Sequence, residues 1–199
     1  MAHTAASFDA LFTGSSDPWA FKSRWYEERK RAVTLACLPA RSYAFGYEPG
    51  CANGELSAAL ATRCGHLLVS DGSAKAVALA RQRLAELPHV EVRQSWVPDA
   101  WPDERFDLVV VSELGYFLSA AALDVLIGKA RDSLAAGGTL LACHWRHPPD
   151  DCELDGDAVH RRFGRLMEMP HLAGMVDDDF RIDVWCRDGR SVAQREGFI

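Results

Sequence analysis

The chain has 199 residues, 48% of them hydrophobic and 25% charged, and a formal net charge of -6. That length suits one well-packed domain and is short for two, and a net negative chain without a basic cluster argues against nucleic acid as a partner. The start, MAHTAASFDALF, lacks the basic-then-apolar order of a signal peptide and no later run reaches the length of a membrane span, so a cytoplasmic protein with no membrane partner is expected.

Asp17-Pro18 supplies a helix N-cap and a first-turn proline, and WAFKSRWYEERKRAVTLACL after it reads as one long helix, rich in aromatic and basic residues on more than one face. Residues 1–40 are expected to form a helical lid continuous with a core over 41–199, in a single domain overall. A strand near Ala44 to Glu48 comes next, then a helix from Glu55 to Arg63 and a strand from His66 to Asp71. Ser73 caps a helix with Val77, Ala80, Leu84 and Leu87 on one face, and a strand follows near Val90 to Gln94. FDLVVVSE is continuously apolar, as a strand covered on both faces must be. Leu123, Leu126, Ile127, Ala130 and Leu134 mark another helix, which Gly137-Gly138 are expected to end before the strand TLLACHW. A helix around Gly156 to Met169 precedes HLAGMVDDDFRIDVWCRDG, two strands joined by a tight acidic turn at Asp177 to Asp179. Regular alternation of strand and helix means a doubly wound parallel α/β sheet, and a tight turn joins only antiparallel strands, so the closing pair breaks the pattern.

The six cysteines, Cys37, Cys51, Cys64, Cys143, Cys152 and Cys186, include no CxxC pair and lie mostly in apolar runs, which suits buried thiols in a reducing compartment. The spacing of Cys143, His144, His147, Cys152 and His160 fits no familiar ligand pattern, so no metal is expected.

In an open α/β sheet the ligand lies beyond the carboxyl ends of the strands, where strand order reverses beside the first strand. Gly50 and Gly54 fall there. A dinucleotide fingerprint needs a glycine where this chain has Ala52, and a phosphate loop of the Walker type needs a lysine that is absent. What remains is E-x-G-x-x-x-G with Asp71 at the end of the second strand. An acid there can accept both hydroxyls of a ribose, and Glu48 can hold a cationic group, so a nucleoside with a positively charged amino-acid tail suits the pattern.

EPGCANGEL, LLVSDGSAKAVALAR, WPDERFDLVVVSELGYFL, SLAAGGTLLACHWRHP and the preceding DPWAFKSRWYEERKR resemble the class I S-adenosylmethionine-dependent methyltransferases, and within them the nodulation protein S branch, from about Phe8 to Pro148. The resemblance implies a seven-stranded, mostly parallel sheet with the last strand antiparallel, S-adenosyl-L-methionine as cofactor, and methyl transfer. On that basis the cofactor is expected to meet Glu48, Gly50, Cys51, Gly54, Asp71, Gly72, Ser95 and Glu113. Many relatives carry an aspartate after strand three, where this chain has Trp96, which either stacks on the base or packs as core.

Methyl transfer asks chiefly for alignment, exclusion of water and a place for one proton. After strand four, Glu113 either handles that proton or contacts the cofactor loop, and Tyr116 either shapes the acceptor pocket or caps the next helix. After strand five, His144 is a candidate base or a loop contact, while Trp145, Arg146 and His147 are candidate substrate contacts. In the first helix Trp19, Trp25, Tyr26, Arg29 and Lys30 offer aromatic surface and cations to cover a sulfonium and pair with the cofactor carboxylate, or simply pack and solvate. The expected acceptor is a small molecule, most simply the nitrogen of an amino sugar or metabolite amine, and the protein a monomer or homodimer. The rival readings are an O-methyltransferase acting on a hydroxylated natural product, a nucleoside-binding regulatory protein without catalysis and, less well matched, a nicotinamide dehydrogenase.

Overall fold

The computed structural model describes residues 4–147 and 151–199; Pro148, where the sequence likeness ends, lies outside them. Strands β1 (Tyr43–Pro49), β2 (Cys64–Asp71), β3 (Val90–Gln94), β4 (Phe106–Ser112), β5 (Leu134–Trp145), β6 (His171–Val176) and β7 (Phe180–Cys186) form one sheet in the order β3-β2-β1-β4-β5-β7-β6. The first five run parallel to one another, and β7 runs antiparallel to both β5 and β6. Reversal of order at β1 and β4 opens a crevice at their carboxyl ends.

Helices α2 (Trp25–Ala36), α3 (Glu55–Ala61) and α4 (Ala74–Arg83) cover one face of the sheet, and α5 (Ala120–Ser133) and α6 (Gly156–Leu166) the other. Leu108, Val109, Val110 and Val111 of β4 are fully buried between the two layers, each worth about 1.5–3 kcal/mol against exposure. The acidic turn joins β6 to β7, Asp177 N–H donating to the Phe180 carbonyl. Among the described residues no helix is long and apolar enough to cross a membrane.

Two expectations are corrected. The helix expected from Trp19, after Asp17-Pro18, begins only at Trp25 as α2, and a separate helix α1 (Ala5–Gly14), capped reciprocally by Thr4 and Ser7, precedes it. Between them Ala20 takes a left-handed φ of 60°, which no helix continues through, and Asp17 accepts from Phe21 and Lys22 N–H while also accepting from the Asn53 amide. Asp17 thus ties this segment to the glycine loop instead of capping a helix. The second correction concerns Gly137-Gly138. α5 ends at Ser133, and the chain enters β5 at once, with Gly137 (φ 75°) inside an irregularity where Phe106 and Leu108 of β4 face Leu134 and Thr139. The glycines let the strand bulge.

Candidate active site

The glycine loop follows Pro49. Gly50 N–H and Cys51 N–H both donate to the Ser70 carbonyl, at 2.7 and 2.9 Å, which pins the loop to β2. Ala52 and Gly54 have φ of 49° and 85°, and Gly54 caps α3. Asp71 braces the same loop, its two oxygens accepting from Ala52 N–H (3.0 Å) and Ser73 N–H (2.9 Å). Burial raises the Asp71 pKa, and these two amides oppose the rise.

Beside the loop, a cleft of ≈ 1350 Å³ runs along the carboxyl ends of the strands, larger than the about 300–1,000 Å³ of a single small-ligand pocket. Of the residues singled out from the sequence it is lined by Trp19, Tyr26, Lys30, Gly50, Asp71, Gly72, Ser95, Trp96, Glu113, Tyr116, Trp145 and His147. Trp96 lies on the Gly72 backbone, where an added Cβ would come within 2.1 Å of the indole, so packing and cavity lining coincide in one ring. Phe8 and Phe117, in edge contact at 5.1 Å, continue this wall.

Glu113 occupies the far side of the crevice with φ 53°, a left-handed backbone that costs on the order of 1–3 kcal/mol in a residue other than glycine. Its N–H donates to the Cys143 carbonyl at 2.9 Å, and its Oε2 accepts from Trp145 N–H at 3.0 Å and from the Tyr116 hydroxyl. Oε1 accepts from Lys30 Nζ at 2.7 Å, and Lys30 also pairs with Glu27 at 3.1 Å. Burial works against the Lys30 charge, but Glu113, Cys143 and Glu27 outweigh it and its pKa is raised. Burial, then Glu113, hold the Tyr116 phenol well above its ordinary range.

A side pocket of ≈ 50 Å³ opens between Glu27, Lys30, Glu48, Gly50, Ala52 and Glu113. Glu48 is buried in its wall, and burial, with Asp71 adding to it and Ser57 opposing, pushes the carboxyl up to about 8. Among the described residues its Oε2 has no hydrogen-bond partner, nor has the buried Tyr26 hydroxyl.

Several expected site residues point elsewhere. His144 is fully buried against α6, and its Nε2 accepts from Gly115 N–H at 3.1 Å, so it lines neither pocket. Arg146 forks onto Asp157 and donates to the Asp177 carbonyl, fixing α6 and the acidic turn. Arg29 pairs with Asp177 at 2.8 Å over the Phe180 ring. Gly54 packs on Ala80 rather than facing the cleft, and Cys51 reaches only the side pocket. In β5 and α2 alike, the residues expected at the site alternate between faces, and only one face meets the crevice. Glu27 and Asn53 were not singled out from the sequence. Glu27, Lys30 and Thr34, spaced three and four apart on α2, share its buried face, and that spacing was the available signal.

The sheet order and the strand-end cleft define the methyltransferase type of α/β domain. The crystal structure of N-methyltransferase NodS from Bradyrhizobium japonicum WM9 with S-adenosyl-l-homocysteine shares this fold, with a TM-score of 0.83 and 22% identity over 94% of this chain and all of that one. A Pseudomonas syringae crystal structure assigned to the methyltransferases is 50% identical, with a TM-score of 0.75 over 82% of this chain and 100% of its own. The family model for nodulation protein S matches residues 12–144, and the chain belongs to that family. Nodulation protein S of Rhizobium tropici is 32% identical over 129 residues, 64% of this chain and 54% of the relative. The chain thus spans little more than half the length of that curated relative.

Proposed function

We propose that the protein is an S-adenosyl-L-methionine-dependent methyltransferase acting on the nitrogen of a small amine, an amino sugar or a related metabolite. The observation that carries the choice of nitrogen is the charge of the cleft. Glu27, Asp71, Asp99, Glu113, Asp151 and Glu153 line it against Arg24 and Lys30, a field that draws in a cationic acceptor.

The residues present fit the cofactor. Asp71 keeps lone pairs free after its two amide contacts and can accept the ribose hydroxyls. The unpartnered Glu48 Oε2 offers an acceptor for the amino-acid ammonium, and Trp96 with Ser95 offers a surface for the base. When bound, the cofactor supplies an electrophilic methyl group on a sulfonium. Trp19 and Tyr26, from the N-terminal lid, help keep water from that place. An amine that enters as the ammonium must lose a proton before transfer, because only the free base carries the lone pair that attacks the methyl group. Glu113 is the acceptor for that proton, and Tyr116, whose phenol stays protonated, steers the carboxylate through its hydroxyl.

The test is release of S-adenosylhomocysteine from S-adenosylmethionine with glucosamine, alkylamines, aromatic amines and phenols as acceptors. Release is expected with amines. Turnover confined to phenols and alcohols would select the O-methyltransferase reading, and tight cofactor binding without any release would select a regulatory protein.

A further inference from the structure

Behind the crevice, on the sheet face covered by α6, lies a second polar cluster sealed from the cleft. His144 Nδ1 meets His160 Nε2 at 3.1 Å, His160 Nδ1 meets Asp183 Oδ2 at 2.6 Å, and Asp183 Oδ1 meets His171 Nε2 at 2.6 Å. Arg181 Nε adds a third donor to Asp183 at 2.7 Å. His144, His160 and Asp183 are all buried, whereas His171 and Arg181 reach the surface.

The hydrogen bonds leave one protonation pattern. Gly115 N–H donates to His144 Nε2, so that nitrogen carries a lone pair and the proton of the neutral ring sits on Nδ1. His144 therefore donates to His160, which accepts on Nε2 and donates from Nδ1 to the Asp183 carboxylate. Burial holds both imidazoles below their ordinary range, in keeping with two neutral rings. The inner end is a backbone N–H, so this chain of bonds cannot carry a substrate proton away. What it can do is hold a geometry.

We propose that His160 and Asp183 are positioning residues for methyl transfer: they fix His144 as the Nδ1–H tautomer, whose Nε2 then anchors the Gly115 turn and so aims Glu113 and Tyr116 into the cleft. Three successive residues of β5 grip this turn, the Cys143 carbonyl, the His144 ring and the Trp145 N–H, and only the ring can lose its grip by a change of tautomer. The strained Glu113 backbone needs such a restraint. Gly115 is shaped for it: an added Cβ would stand 3.0 Å from His144 Nε2 and 2.5 Å from Val159 Cγ1.

The proposal rests on Glu113 and Tyr116 serving the reaction, but its decisive readout does not. Nitrogen-15 NMR of the histidine side chains in the whole protein should show His144 and His160 both as Nδ1–H tautomers. His160→Leu removes the acceptor for His144, and the tautomer should change while affinity for S-adenosylhomocysteine stays as in the parent. Turnover with the most active acceptor of the panel should fall by about 10–100-fold, as misplacement of a catalytic group does. His160→Gln, whose amide can accept from His144 and donate to Asp183, should restore both tautomer and turnover. An Nε2–H tautomer in the parent, an unchanged His144 tautomer in His160→Leu, or parental turnover in His160→Leu with the tautomer changed, would overturn the proposal. If instead phenols are the only acceptors, the amine reading fails and the tautomer result stands by itself.

Discussion

Two buried charge networks reach the Glu113 turn from opposite faces of the sheet, and they differ in what they end on. The Glu27–Lys30–Glu113 group ends on a carboxylate that opens into the cleft. The His144–His160–Asp183 group ends on a backbone amide and never meets the cleft. Both bury ionisable side chains at a cost in desolvation that apolar residues would avoid. Titratable groups at one end of a sheet therefore need not form one active site: on the proposed reading, the first network presents the chemistry and the second holds it still.

The sharpest way to break this division is at Glu113 itself. Glu113→Gln keeps the shape and an acceptor oxygen but removes the base. Turnover should fall by about 10²–10⁴-fold with S-adenosylhomocysteine affinity unchanged in calorimetry. A loss confined to affinity would move Glu113 from proton handling to cofactor binding.

The next largest effect should be on stability. Lys30→Met strands two carboxylates inside the protein and should cost about 3–5 kcal/mol in urea unfolding. Arg29→Met, one residue earlier, breaks a half-exposed pair with Asp177 and should cost at most about 1 kcal/mol. Equal costs would mean that the buried pair is no more coupled to the fold than the surface one.

On the cofactor side, Asp71→Ala removes a charged acceptor and should weaken cofactor binding by about 10–100-fold, the range of a hydrogen bond to a charged group. Unchanged binding would dismiss the ribose assignment. The sealed network should answer to acid instead. Burial raises the Asp183 carboxyl, but bonds from His160, Arg181 and His171 outweigh it and bring it down to about 2. A depressed carboxylate contributes stability that is present above its unfolded pKa, near 3.9, and lost as pH falls through about 2. Asp183→Asn should flatten the parent's loss of stability over that window by on the order of 2 kcal/mol, measured by thermal unfolding against pH.

How much of this the sequence carries depends on the kind of signal. The sheet was legible because apolar runs such as FDLVVVSE and the alternation of strand and helix are dictated by burial on both faces. The positions of Gly50 after β1 and Asp71 at the end of β2, both lining the cleft, were legible because their spacing is tied to strand ends, whereas Gly54 packs on Ala80 instead. The long N-terminal helix was misread because Asp17 finds its partner in Asn53, 36 residues away, and Ala20 turns left-handed to allow it. Of the two readings open for His144, base or loop contact, the structure shows the loop contact, which sequence could not decide because its partners, Gly115, His160 and through it Asp183, come from three other elements. Which face of a strand end meets a crevice is decided by tertiary packing, and no local pattern reports it.

The smallest expected effect bears on the side pocket beside the first network, at Glu48. Its carboxyl, pushed up to about 8 by burial, is mostly protonated at neutral pH in the ligand-free protein. A carboxyl raised in this way contributes stability that is full below its unfolded pKa, near 4.3, and lost as pH rises through about 8. A ligand ammonium set against the unpartnered Oε2 would reverse the preference and expel the proton. Binding of S-adenosylhomocysteine should then release somewhat under one proton per site at pH 7, fading above about pH 9, as linkage requires. Calorimetry in buffers of different ionisation enthalpy measures that release, and Glu48→Gln should abolish it with little change in fold, since the substituted amide remains neutral at every pH. No release in the parent would mean that the cation lies elsewhere, and the side pocket between Glu27, Lys30 and Glu113 would then belong wholly to the acceptor.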